Sequence, residues 1–193
     1  MLAELLAHDG VEEHLELRSA VGFLALHGGS LERETDQIAL EAAERSGASL
    51  YALCQPDDLR WHIPSARMDP AESPALGRFL GHVAVVLSVH GYGRDGLFTT
   101  LLLGGGDRVL AGRVAGHLRA ALPGYTVEDD LATIPRALRG LHPDNPVNRA
   151  GGGVQIELPP RIRLQGPNAD PAARQALVAG LAAAGLALTA SGG

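Results

Sequence analysis

Two apolar runs that each halt at a His-Gly step constrain this chain more than any other feature. Val21 to Leu26 is almost entirely apolar and stops at His27-Gly28-Gly29, and Val83-Ala84-Val85-Val86-Leu87-Ser88-Val89 stops at His90-Gly91. Short apolar runs bounded by turn glycines predict strands buried on both faces, as in a parallel sheet covered by helices. A histidine therefore stands at each of two strand ends.

The intervening segments agree with an α/β plan. Residues Glu34 to Arg45 carry apolar positions at Ile38, Ala39, Ala42 and Ala43, with Thr35 as a cap and Gly47 just beyond, which predicts a short amphipathic helix. Ala48 to Cys54 is a further apolar run, so strand, helix and strand fall within about 35 residues, the size of a parallel βαβ unit. Pro56 to Pro74 holds four prolines and reads as an irregular loop containing Arg60-Trp61-His62. A helix from about Ala75 to Leu80 precedes the second His-Gly strand. Leu97 to Leu103 is another strand, with Gly104-Gly105-Gly106 as its exit and Asp107 capping a helix to about Leu122. Tyr125 to Val127 adds a short strand.

Val154-Gln155-Ile156-Glu157-Leu158 alternates strictly, placing Val154, Ile156 and Leu158 on one face and Gln155 and Glu157 on the other. From Asp170, with Pro171 at the first helical position, an Ala/Leu helix runs through about Leu186 to Leu188. The expected fold is α/β: one domain over residues 1–193, with a mixed, largely parallel sheet flanked by helices.

Composition narrows the partners. With 46% hydrophobic and 20% charged residues the chain has the balance of a packed protein. Its net charge is −6 and its sixteen basic residues are dispersed, so neither nucleic acid nor an anionic membrane is an expected partner. Cys54, the single cysteine, has no internal disulfide partner and reads as a small buried hydrophobe. Residues Met1 to His14 lack a signal-peptide pattern, and no segment reads as reaching the roughly 20 apolar residues of a membrane span. A cytoplasmic monomer is expected, with release by lysis an open route.

In an open α/β sheet, ligands bind at the carboxyl ends of the strands, so His27 and His90 can converge. Glu32 lies five residues beyond His27, across a turn short enough to bring its carboxylate beside the imidazole. Two histidines and a carboxylate form the ligand set of a catalytic zinc with one open position, one ion per chain. A second carboxylate must then move the proton, and Glu157, a charge inside an apolar strand, is the candidate. Ordinary structural roles compete. A strand-end histidine can satisfy a backbone carbonyl, Glu32 can be solvated, and Glu157 can pair with Arg161 or Arg163. His8, His14, His82, His117 and His142 read as surface or structural. The Gly104 to Asp107 turn lacks a phosphate-loop pattern, and no G-x-S-x-G elbow is present.

These residues carry a resemblance. His27-Gly28-Gly29-Ser30-Leu31-Glu32-Arg33-Glu34-Thr35, Val89-His90-Gly91, and Asn148-Arg149 followed by Gly153-Val154-Gln155-Ile156-Glu157-Leu158 resemble the phage-type poly-γ-glutamate hydrolases, as does Trp61-His62-Ile63 with Ser65 to Asp69. The matches span roughly residues 27–163. The resemblance implies a zinc-carboxypeptidase-like fold, zinc on His27, Glu32 and His90, and Glu157 as general base. It also implies cleavage of the γ-amide bonds of an acidic polymer with a carboxylate on every residue. A guanidinium near the metal is then needed, and similarity to the Asn-Arg pair of zinc carboxypeptidases points to Asn148 and Arg149. Arg94, Arg67 and His62 are further substrate-binding candidates. Arg67-Met68, Pro64 and the Tyr92-Gly93-Arg94-Asp95 loop depart from the family pattern at positions that bear on substrate choice rather than on the metal. Two other functions fit the same residues: a cell-wall or small-peptide zinc carboxypeptidase, and a zinc-containing module that binds acidic polymers without cutting them.

Overall fold

Strands and helices alternate along most of the chain in the computed structural model, which describes residues 1–191. The order is α1 (Leu2–Leu6), β1 (Glu12–Glu16), β2 (Val21–Gly29), α2 (Thr35–Ser46), β3 (Ser49–Gln55), α3 (Pro74–His82), β4 (Val85–Gly91), β5 (Thr100–Gly104), α4 (Arg108–Ala121), β6 (Thr126–Glu128), β7 (Gly152–Leu158) and α5 (Pro171–Ser191). Short 3-10 turns at Ser65–Arg67, Pro70–Glu72, Arg136–Leu138 and Pro146–Asn148 punctuate the connections.

One seven-stranded sheet is ordered β1-β3-β2-β4-β7-β5-β6. Its centre is parallel: β2 pairs with β3 and β4, and β4 with β7. Antiparallel pairing occurs where β1 adds to β3 and β5 adds to β7. The mixed, largely parallel sheet expected from the sequence is thus present, and the carboxyl ends of β2, β4 and β7 lie side by side.

Burial on both faces accounts for the unbroken apolar runs. Along β2, Phe23 and Ala25 face a core shared with α2, α4 and α5, whereas Leu24 and Leu26 face a second core built from α1, α3 and the Pro-rich loop. Along β7, Val154, Ile156 and Leu158 enter the first core, as their alternation predicted. Asp107 caps α4 by accepting from the Leu110 N–H, and Gly47 ends α2 in the left-handed conformation.

Several expectations change. α2 begins at Thr35 behind a left-handed Glu34, and Thr35 does not cap it, because its hydroxyl donates back to the Glu32 carbonyl. α1 and β1 were not visible in the sequence. In β1, Glu12, His14 and Glu16 are exposed on an edge strand, so the apolar alternation that marks a half-buried strand is missing. Cys54 is only partly buried, with its thiol against Asp36, and burial and that carboxylate push it up to about 12. Finally, Pro171–Ala190 of α5 is long and apolar enough to cross a membrane, with a mean hydropathy of 1.4, contrary to expectation. Its composition is matched by packing: Leu177, Val178 and Leu181 are buried against α2 and α4.

Candidate metal centre

His27 reaches the site through an irregularity in its own strand. Strict alternation after Ala25 and Leu26 would turn His27 toward the α2 face. The register of β2 on β3 instead slips between Ala25 and Gly28, and such a bulge re-aims a side chain. The His27 ring consequently lies 5.2 Å from the ring of His90 and 4.8 Å from that of His62. Gly29 then adopts a φ of 68°, and a Cβ there would overlap the Gln55 carbonyl, so the tight turn requires glycine. The following loop curls back, the Glu32 N–H donating to the His27 carbonyl at 2.8 Å.

Glu32 sits between the two strand-end histidines. Its Oε1 is 2.9 Å from His27 Nδ1 and its Oε2 is 3.4 Å from His90 Nδ1, and the Gly91 N–H donates to Oε2 at 2.8 Å. The far nitrogens are held as well: His27 Nε2 lies 2.9 Å from the Ile63 carbonyl, and His90 Nε2 lies 2.9 Å from Ser88 Oγ. Both nitrogens of His27 therefore face oxygen acceptors. Something positive, a proton or a metal ion, must sit between Nδ1 and Glu32. Outer partners that fix the ring nitrogen away from the cluster are what a ligating histidine needs. The donor set fits a divalent metal on this ground. Donor atoms of His27, Glu32 and the exposed His62 lie within 4.8 Å of one another, so His62 stands beside this pair as a third imidazole that competes with His90.

The carboxyls of the cleft are tuned in opposite directions. Burial opposes ionisation of Glu32, but His27 and His90 outweigh it and hold the group well below the usual carboxylate range. Glu157 is pushed upward by burial and by Glu32, with His90 and Gln155 opposing. His90 and Glu157 are register partners on β4 and β7, which puts both on the cleft side. Neither predicted arginine pairs with Glu157. Arg161 reaches Asp170, while buried Arg163 donates to the carbonyls of Leu158, Arg33 and Tyr92. Instead, Gln155 Nε2 donates to Glu157 Oε1 at 2.8 Å, and Asn145 Nδ2 donates to Gln155 Oε1 at 2.9 Å.

The cluster opens into a cleft of about 630 Å³ that also exposes Arg94, Arg136 and His142. Of the predicted substrate-binding residues, Arg94 and His62 line it. Asn148 and Arg149 do not. Asn148 accepts from the Gly106 N–H and donates to the carbonyls of Gly140 and His142, which consumes its amide in bracing the cleft wall. Arg149 is exposed and lines a separate groove with Arg67, Asp69 and Asp144. His142, read from the sequence as surface or structural, is a wall of the cleft. Gln155 was legible as the neighbour of Glu157 on the polar face of β7, whereas Arg136, in an irregular stretch, had no sequence signal.

The seven-stranded mixed sheet with its parallel centre and flanking helices is a carboxypeptidase-like α/β fold. The metallo-carboxypeptidase of Burkholderia cenocepacia shares the fold, with a TM-score of 0.55 at 10% identity, covering 100% of this chain and 68% of that one. Within this class the chain belongs to the poly-gamma-glutamate hydrolase family, whose model matches residues 4–167. The structure of a bacteriophage poly-gamma-glutamate hydrolase gives a TM-score of 0.77 at 22% identity, covering 94% of this chain and 91% of that one. YndL of Bacillus subtilis (strain 168) is 30% identical over 145 residues, 74% of this chain and 54% of its own length. A zinc-free YndL structure matches with a TM-score of 0.72 at 25% identity, over 91% of each chain. The chain spans about half the length of the curated relatives it matches.

Proposed function

We propose that this protein is a zinc-dependent amidohydrolase that cleaves γ-glutamyl amide bonds of poly-γ-glutamate or a related acidic peptide polymer. The observation that carries it is Glu32 lying between the Nδ1 atoms of His27 and His90, with a buried, upward-shifted Glu157 beside them. Family membership and the naming of a zinc-free state for YndL support the choice of metal and substrate.

His27, Glu32 and His90 would hold the ion, and zinc bound there would supply Lewis-acid polarisation of the amide carbonyl and an acidified water. Glu157 takes the proton of the attacking water and returns it to the leaving amine. Gln155 fixes one of its oxygens, and the other has no hydrogen bond among the described residues. Arg94 and Arg136 hold no ion pair or side-chain hydrogen bond among the described residues, and they present guanidinium groups to substrate carboxylates. His62, at the mouth, contacts the incoming chain. Arg149, expected from the sequence to grip a substrate carboxylate, lies outside the cleft, so Arg94 and Arg136 take that role here.

Metal analysis and polymer degradation test this together. Protein purified without added zinc should carry close to one zinc per chain, or take it up, and should shorten poly-γ-glutamate. Zinc near zero after supplementation, or intact polymer after exposure to zinc-loaded protein, would overturn the assignment.

A further inference from the structure

Behind the segment that carries Glu32 lies a second groove, of about 450 Å³, lined by Leu31, Arg33, Arg60, Arg163 and Gln165 among others. The two cavities share their walls. Leu31 and Arg33 line the groove while Glu32, between them, lines the metal cleft. Likewise Arg60 lines the groove, and His62, two residues further on, lines the cleft. At these two points one chain segment lines both spaces.

The groove is electropositive in a chain whose net charge is −6. Three arginines face one carboxylate, Glu34, which Arg174 already holds at 2.7 Å. Arg163 is buried and three of its N–H groups are spent on backbone carbonyls, so it contributes a fixed charge to the floor. Arg60 has no ion pair or side-chain hydrogen bond among the described residues. Arg33 reaches only Asp57, 92% exposed, at 3.6 Å. Two accessible guanidiniums over a buried third form a site for planar anions.

We infer that this groove is a second carboxylate-binding subsite, which grips side-chain carboxylates of an acidic peptide polymer a few residues from the bond held in the metal cleft. The inference rests on the proposed hydrolase reading. Exposed guanidinium–carboxylate pairs are individually weak, but contacts made along one tethered chain add through effective concentration. The groove therefore favours long substrates and does nothing for those too short to reach it.

Steady-state kinetics of the zinc-loaded protein on long poly-γ-glutamate and on a short γ-glutamyl oligomer test this, comparing the parent with Arg33→Ala/Arg60→Ala. The double variant should lose about three- to tenfold in kcat/KM on the polymer, while the oligomer changes by less than about twofold. Titration of labelled polymer into Glu157→Gln, with and without the two groove substitutions, should show a matching rise in Kd for the groove variant without turnover, and high salt should erase the difference. Equal losses on both substrates, or an unchanged Kd, would overturn the subsite. Should the parent cleave neither substrate, the hydrolase reading fails instead, and the Kd comparison alone judges the groove.

Discussion

Glu32 and Glu157 face one cleft and differ in what surrounds them. Two imidazoles keep Glu32 charged, whereas burial and the Glu32 charge itself favour the protonated form of Glu157. A carboxyl whose pKa is raised on folding binds its proton more tightly in the native state, so ionising it weakens the fold as pH rises from the unfolded pKa through the folded one. Glu157→Gln removes that penalty while an amide oxygen can still accept from Gln155. The metal-free variant should melt above the parent at neutral pH, by about 2–4 °C for each kcal/mol gained, and the gap should close as pH falls through that window. Calorimetry across pH checks this. The same variant should keep zinc but lose about a hundredfold or more in kcat; an equally active variant would remove Glu157 from the chemistry. His27, His90 and Glu157 stood out in the sequence because polar groups at the ends of, or inside, apolar strands are conspicuous, and Glu32 because it follows His27 by five residues across a tight turn. Adjacency to Asn148 carries no information about direction, and after the 3-10 turn at Pro146–Asn148 the Arg149 side chain lines the separate groove that also holds Arg67 and Asp69.

Elements position these groups more finely than periodicity reveals. Sequence patterning located β2, β4 and β7, but the bulge that turns His27 out of the helical face leaves no mark in hydrophobicity, because Leu26 is buried on the other side in the ordinary way. The wall that carries Arg136 and His142 depends on Asn148, which ties Gly140, His142 and Gly106 together. Asn148→Ala leaves two carbonyls and an N–H without that partner. It should lower stability by about 1–3 kcal/mol and raise KM for the polymer while zinc content stays unchanged, and unaltered kinetics would make the wall irrelevant to substrate. Arg163 has a similar role between β4 and β7. A Cβ at Gly91 would overlap its guanidinium, so the glycine exists for the arginine. α1 and β1 escaped detection because a five-residue helix and a charged edge strand carry too little apolar signal.

At the scale of the whole molecule, two large cores hold the sheet from either side, with a small third cluster around Tyr92, Leu102 and Ile134, and most residues of the large cores were legible as apolar runs. α5 closes the first core across α2 and α4. Leu181→Ala should cost about 2–5 kcal/mol by denaturant unfolding, because the side chain is fully buried and its neighbours cannot all collapse into the gap. A loss below about 1 kcal/mol would mean that α5 contributes little to the core. The two margins of the sheet have a different consequence. One is β1, with Glu12 and Glu16 exposed, and the other is β6, three residues long. An incoming strand would meet like charge at the first and too few backbone partners at the second. The sheet is thereby a poor template for its own copies, which protects a chain rich in buried β-structure against growth into fibrils.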